Sequence, residues 1–456
     1  MKKISCWIIV YLFTFGPHLM GQELNRIVWD EKDAQKVMGE AYWSFWNEDV
    51  QRKIDEDIDR NRKADAVITL ESVLKGSNVE IEQVSHTFLF GGNIFLFGNF
   101  DSPQQNRTYE NTFGSLFNAA TVPFYWKTLE PEKGKPRYEL GADEIYRRPP
   151  PDPVVAFCES KNINMNGHAI IYGSRKWGHP DWMPENREEM EILFGQHVKV
   201  LAERYTDRIQ RWDVVNESIH QADRGLMPDD YTYKTFAAAM KYFPDHVKFN
   251  SNDCDIKWGP TPRYVEIVRD LVDRGARIDN VGVQMHIFNP SESQKIAQGA
   301  DVLTPEKNHA VLKCLDGAER PIHISEVTIS APDESRVGQL IQAVIARNLY
   351  RLWFSYPSTM GITWWNVVDG GAAPGEPSFS GLYDQALNPK PVYHALDQLI
   401  NQDWKTRITI VPQPDGVVKF RGFKGTYRMK WKDGAGKEQR ATFSLKTNGK
   451  VQLRKL

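Results

Sequence analysis

The sequence predicts an α/β protein: a (β/α)8 TIM barrel with a small accessory β-domain built from the N- and C-terminal segments. Three observations carry this. Across residues 96–403, helical periodicity alternates with short apolar runs, the rhythm of parallel strands joined by helices. Several of those runs, such as RWDVVNE (211–217), break off in amides, carboxylates or histidines. On either side, residues 66–95 and 404–456 switch to short alternating runs broken by KGSN, PDG, DGAG and TNG. A doubly wound open sheet is the runner-up, and it lacks its usual glycine-rich phosphate loop after the first strand.

Taken in order, the chain opens with MKKISCWIIVYLFTFGPHLMGQ. Lys2 and Lys3 precede an apolar stretch from Ile4 to Phe15, then Gly16, Pro17 and small residues to Gly21. That pattern predicts a cleaved signal peptide over 1–21, hence a secreted or periplasmic protein with no membrane span after cleavage. Three cysteines remain beyond it, Cys158, Cys254 and Cys314, too widely spaced for a disulfide framework or a metal site. Residues 22–95 read as a helical lead-in and a β region. Val50, Ile54 and Ile58 fall on one face of a charged helix, and the β runs flanking KGSN suggest a hairpin. Residues 96–403 form the barrel. There NREEMEILFGQHVKVLAERY is a helix capped by Asn186, TPRYVEIVRDLVDRGA a helix ending at Gly275, and SRVGQLIQAVIARNLYRLWF a third. Residues 404–456 form a C-terminal β region that could pack with 66–95. The net charge of −2 offers no basic field for nucleic acid. Aromatic residues make up 12% of the chain, with 14 Trp, as suits both a sugar-binding cleft and a barrel rim.

Parallel strands in a barrel are apolar on both faces, and their C-terminal ends meet solvent and carry chemistry. A strand closing in Asn216 and Glu217 therefore has its polar pair where an active site belongs. Taken alone, Glu217 is more often a structural carboxylate. It has company, however: Gln284 and His286 in VGVQMHIF, His323 and Glu326 in RPIHISEV, Asn252 and Asp253 in VKFNSNDCD, Trp365 and Asp369 in ITWWNVVDG, and His168 in NGHAIIYG. Two glutamates on separate strands suit glycoside hydrolysis, in which one protonates the leaving oxygen and the other attacks or activates water. No H-E-x-x-H, H-x-x-E-H or H-x-H pattern occurs, so neither a metal nor a cofactor is expected.

WDVVNE, VGVQMHI, HISEV and ITWWNVVD, in that order, resemble glycoside hydrolase family 10 over about residues 100–400. The best-known members are retaining endo-β-1,4-xylanases on a (β/α)8 barrel. The resemblance implies that Glu217 is the acid/base and Glu326 the nucleophile. It implies that Asn216 holds a sugar 2-hydroxyl, that His286 bonds the nucleophile with Gln284 beside it, and that Trp365 floors the site. His168 matches the first histidine of the family's G-H-x-L-x-W-H segment, while Asn252 and Asp253 give outer support, as Asp369 is expected to do. The implied substrate is a plant cell-wall polysaccharide or oligosaccharide. Departures stand beside these matches. The family's polar grip on the next sugar toward the non-reducing end is replaced by Thr121, Val122 and Tyr125. Its W-H becomes Tyr172-Gly173, followed by the longer loop SRKWGHPDW. Its second tryptophan after Asp369 gives way to GGAAPGEPSFSGLYD. A rebuilt subsite suggests a decorated xylan, with Tyr172, Trp177 or Arg175 touching it, or a different β-glycan. A catalytically dead carbohydrate-binding barrel and a metal-dependent hydrolase are the competing classes.

Overall fold

A computed structural model describes residues 30–221 and 226–455. The segment read as a signal peptide lies outside them. Three N-terminal helices end in Glu48–Arg62, whose Ile54 and Ile58 are buried as their spacing predicts, with Asn47 capping the Val50 N–H. Two strands follow, β1 (Lys63–Thr69) and β2 (Val79–His86). The barrel strands come next: β3 (Leu89–Asn93), β4 (Ala119–Pro123), β5 (Asn164–Tyr172), β6 (Arg211–Asn216), β7 (Lys248–Asp255), β8 (Asn280–Ile287), β9 (Ile322–Ile329) and β10 (Thr359–Trp364). All neighbouring pairs are parallel, and β10 pairs with β3 to close the cylinder. Every residue of β3, β4, β6, β8 and β9 is buried, as strands lined by side chains inside and helices outside must be. The helices Arg187–Tyr205, Pro262–Asp273 and Arg336–Ser355 fall where their apolar stripes place them, the first and third capped by Asn186 and Ser335.

The barrel begins earlier than the change of rhythm at residue 96 suggests. LFGGN is its first strand, too short and glycine-rich to stand out from the β region before it.

The tail contributes β11 (Arg407–Ile410), β12 (Val417–Phe423), β13 (Gly425–Lys432), β14 (Glu438–Leu445), β15 (Gly449–Lys450) and β16 (Arg454–Lys455). The N-terminal strands join them in two sheets, β12-β1-β15 and β11-β2-β13-β14-β16. The expected hairpin is not formed: β1 pairs with β12 and β2 with β13. Each strand buries its alternate residues, Ala64, Ala66 and Ile68 on β1 and Val79 and Ile81 on β2, in a core shared with Tyr427, Met429 and Phe443. One sheet holding both strands would leave that core with a single wall, so the link around KGSN crosses between layers. Phe354 and Arg62 anchor this unit to the barrel. Phe354 stacks on Trp404 with centroids 4.1 Å apart, and the Arg62 guanidinium lies over Phe88 and Phe354 while donating to the Phe354 and Tyr356 carbonyls.

Candidate active site

The site is built on the C-terminal ends of the barrel strands. Glu217 follows the last residue of β6, Gln284 and His286 close β8, and Glu326 lies in the second half of β9. Gln284 joins the two acids: its Nε2 donates to Glu217 Oε1 at 3.1 Å and to Glu326 Oε1 at 3.2 Å. Two bonds from one nitrogen hold those oxygens no more than about 6 Å apart. The two carboxyl groups thus converge on one side chain at the barrel mouth.

Each acid has its own environment. Glu326 is buried, takes a 2.8 Å hydrogen bond from Asn252 Nδ2, and faces His286 Nε2 at 3.4 Å. His286 is held from its other side by Thr328 at 2.9 Å and stacks on Phe288. Asn252 also donates to Asn216 Oδ1 at 2.7 Å, and the Asn216 Nδ2 has no partner among the described residues. A buried donor of this kind calls for an acceptor. Asn252, expected only as outer support, thus touches Glu326 itself. Glu217 is turned into the left-handed region at φ 53, a conformation that non-glycine residues rarely hold and that clusters at functional sites. Its N–H is tied to the Asn252 carbonyl at 2.9 Å, and Asp253 accepts from Ser218 Oγ and the Ile219 N–H just beyond it. Burial first, and then the Glu326 charge, raise the Glu217 carboxyl above its ordinary range; hydrogen bonds from Tyr172 and Gln284 oppose them. The result is an acid that tends to keep its proton beside one that faces donors.

The Tyr172-Gly173 departure has a structural cause. A Cβ on Gly173 would meet the Glu217 carbonyl oxygen at 2.2 Å, so only glycine fits beneath the turned acid.

His168 bridges Asp213 (Nδ1, 2.7 Å) and the Tyr125 hydroxyl (Nε2, 3.1 Å). Burial alone would lower its pKa, but the Asp213 hydrogen bond and charge, with Glu326 and Glu217 nearby, turn the shift upward. Asp213 escaped the sequence reading because it sits mid-strand in RWDVVNE. Its oxygens accept from Asn166, His168 and Asn250. Such a hub is visible in sequence only as a carboxylate inside an apolar run. Trp365 packs edge-on to His168, His286 and Phe95, at 5.5, 6.5 and 5.2 Å between centroids, which makes it the floor. Phe95, Tyr125 and Tyr172 continue that aromatic wall.

Other candidates lie elsewhere. His323 is near the start of β9, bonded to Thr363 at 2.9 Å inside the barrel, and burial holds its pKa far down; it is a core histidine. Asp369 pairs with Lys390 at 2.9 Å and accepts from the Gly381 N–H, bracing the loop after β10 away from the glutamates. Arg175 is spent on the carbonyls of Met183 and Pro184. Trp177 is 56% exposed at the rim beyond β5, its ring under the Lys176 ammonium. Among the described residues it makes no ring contact with the reaction centre.

A closed parallel barrel with two carboxylates and a carboxamide between them defines a class, the two-acid glycoside hydrolases. The chain belongs to glycosyl hydrolase family 10, whose pattern matches residues 86–399. It is 24% identical over 300 residues to endo-1,4-beta-xylanase B of Thermotoga neapolitana, covering 62% of this chain and 80% of that one. It is also similar to the anti-sigma-I factor RsgI6 of Acetivibrio thermocellus, 27% identical over 390 residues, which are 84% of this chain and 46% of the relative. Against endo-1,4-beta-xylanase 3 of Arabidopsis thaliana the identity is 25%, over 71% of this chain and 40% of that one. The chain thus spans less than half the length of two of these relatives. The crystal structure of xylanase 10B from Thermotoga petrophila RKU-1 with xylobiose shares the fold at TM-score 0.56 and 20% identity, over 70% of this chain and 95% of that one.

Proposed function

We propose that this chain is a secreted retaining hydrolase that cleaves β-1,4-xylosidic bonds in xylan or decorated xylan by double displacement. The observation that carries the reading is the Gln284 amide shared between Glu217 and Glu326, which brings the two carboxyl groups together at one barrel mouth and supports a two-acid mechanism. Glu326 attacks the anomeric carbon as Glu217 gives its proton to the leaving oxygen. A sugar–Glu326 ester forms, and the aglycone departs. Glu217, now ionised, takes a proton from water, which displaces Glu326 from the same carbon. Two inversions return the β configuration. Asn216 Nδ2 donates to the 2-hydroxyl of the sugar bound to Glu326, a bond that strengthens as positive charge develops on the ring and lowers the barrier by ~2–4 kcal/mol. Similarity to several endo-1,4-beta-xylanases supports the substrate, and the apolar stretch from Ile4 to Phe15 supports export.

The test is purified protein on plain xylan, arabinoxylan, glucuronoxylan and mixed-linkage glucan. Product masses are read out, and the anomer is followed by NMR in the first minutes. The expected result is β-anomeric xylo-oligosaccharides. First-formed α-anomers, or turnover of glucan alone, would replace this reading.

A further inference from the structure

The loop between the helix Trp126–Leu129 and the helix beginning at Pro151 carries two consecutive arginines with opposite fates. Arg147 is buried, sits at φ 60, and serves the fold. Its guanidinium donates to Asn366 Oδ1 at 3.1 Å and to the Gly371 carbonyl, and its N–H to Asn99 Oδ1 at 3.0 Å. Tyr146 adds a hydroxyl on the carbonyls of Gly370 and Ala372. These bonds clamp the loop between the segments that follow β3 and β10.

Arg148 is thereby laid on the aromatic wall, its guanidinium carbon 3.8 Å from the Tyr125 ring centroid and 5.2 Å from that of Phe95. The one hydrogen bond of its side chain among the described residues is to the Arg147 carbonyl, at 2.9 Å. Most of its five N–H donors are therefore unused, and no carboxylate among the described residues lies within ion-pair distance. Glu376, whose field reaches it, keeps Oε2 on Asn366 Nδ2 and the Ala373 N–H. The buried cation Lys390, by contrast, is neutralised by Asp369. A half-buried guanidinium without a counter-ion is costly unless an anion arrives to use it. Two residues separate it from Glu217: the Tyr125 ring beneath it faces Tyr172, whose hydroxyl acts on the Glu217 carboxyl, and the Tyr125 hydroxyl is bonded to His168.

We propose that Arg148, stacked on Tyr125, forms a subsite for a sugar carboxylate, so that the preferred substrate is a β-glycan carrying a uronic acid on the side of the scissile bond where Tyr125 lies. A planar guanidinium matches a carboxylate through two parallel N–H donors. This rests on the hydrolase reading above and names its substrate more closely.

The experiment uses two probes: a xylo-oligosaccharide bearing one glucuronate branch, and the same oligosaccharide with that carboxyl reduced to a hydroxymethyl group. Wild-type kcat/KM is expected to favour the acid by about 10- to 100-fold, the worth of charge-assisted hydrogen bonds. Arg148→Met brings the ratio to about 1, Arg148→Lys retains part of it, and added salt shrinks it. Equal turnover of both probes by the wild type, or equal losses on both in Arg148→Met, overturns the subsite and leaves the xylan reading standing. Calorimetric binding of both probes to Glu326→Ala separates the two claims. Carboxylate- and Arg148-dependent binding without any wild-type cleavage would sustain the subsite and overturn xylosidic hydrolysis, whereas carboxylate-independent binding would overturn the subsite.

Discussion

The reaction centre and the aromatic wall beside it sit at one barrel mouth and are built by opposite rules. At the centre, Glu217, Gln284 and Glu326 stand on or directly after strands, and Asn252 ties Glu326 to Asn216. Attack on one carbon and protonation of one oxygen leave tolerances well below an ångström, so these groups belong on rigid elements. The wall is different. Tyr125 and Tyr172 lie at strand exits, and Arg148 comes from a loop clamped by Arg147. Recognition tolerates exchange of its parts as long as shape and charge are kept, and loops on a rigid scaffold supply such variation. The acids thus stand on strands and strand ends, while the wall beside them draws one of its parts, Arg148, from a loop.

The comparison breaks most sharply at the nucleophile. Glu326→Ala is expected to lower kcat by roughly 10⁴-fold or more. Azide should restore part of it by entering from the face that Glu326 occupied, leaving an α-glycosyl azide whose mass and anomeric signal are read by spectrometry and NMR. Near-normal activity would remove Glu326 from the mechanism. Asn216→Ala should cost about 10²- to 10³-fold in kcat on xylobiosides, and much less on substrates lacking the 2-hydroxyl; a loss that ignores that hydroxyl would make Asn216 a scaffold residue only. The smallest effect joins the two regions. The Tyr172 hydroxyl opposes the rise in the Glu217 pKa and so favours its ionised form. Tyr172→Phe removes that hydroxyl and should raise the Glu217 pKa further. Since Glu217 must be protonated to act, activity falls as pH rises through its pKa, and the alkaline limb of kcat/KM should move to higher pH. A limb that stays put or moves down would deny the contact.

Much of this was legible in the chain. Asn216 and Glu217 stood out because the same break from apolar run to polar group recurs at Gln284, His286 and Glu326, a repetition that a single structural carboxylate does not explain. What escaped depends on neighbours distant in sequence. Asp213 looks like a flaw in its strand until Asn166, His168 and Asn250 come in around it. His323 and Asp369 were drawn in by position next to a strand, yet their partners, Thr363 and Lys390, put them to structural use. Arg148, in a charged proline-flanked loop, carries no periodicity to mark it.

The sequence by itself determined the alternation of helices and parallel strands, the caps of the helices, and which strand ends carry acids, because hydrophobic period and local hydrogen bonding act over a few residues. Only the tertiary structure decided that β1 and β2 belong to opposite sheets, that Gly173 yields its space to the Glu217 carbonyl, and that Arg148 lies on Tyr125. Those outcomes turn on which surfaces meet once the barrel has closed, and contact between distant segments has no local code.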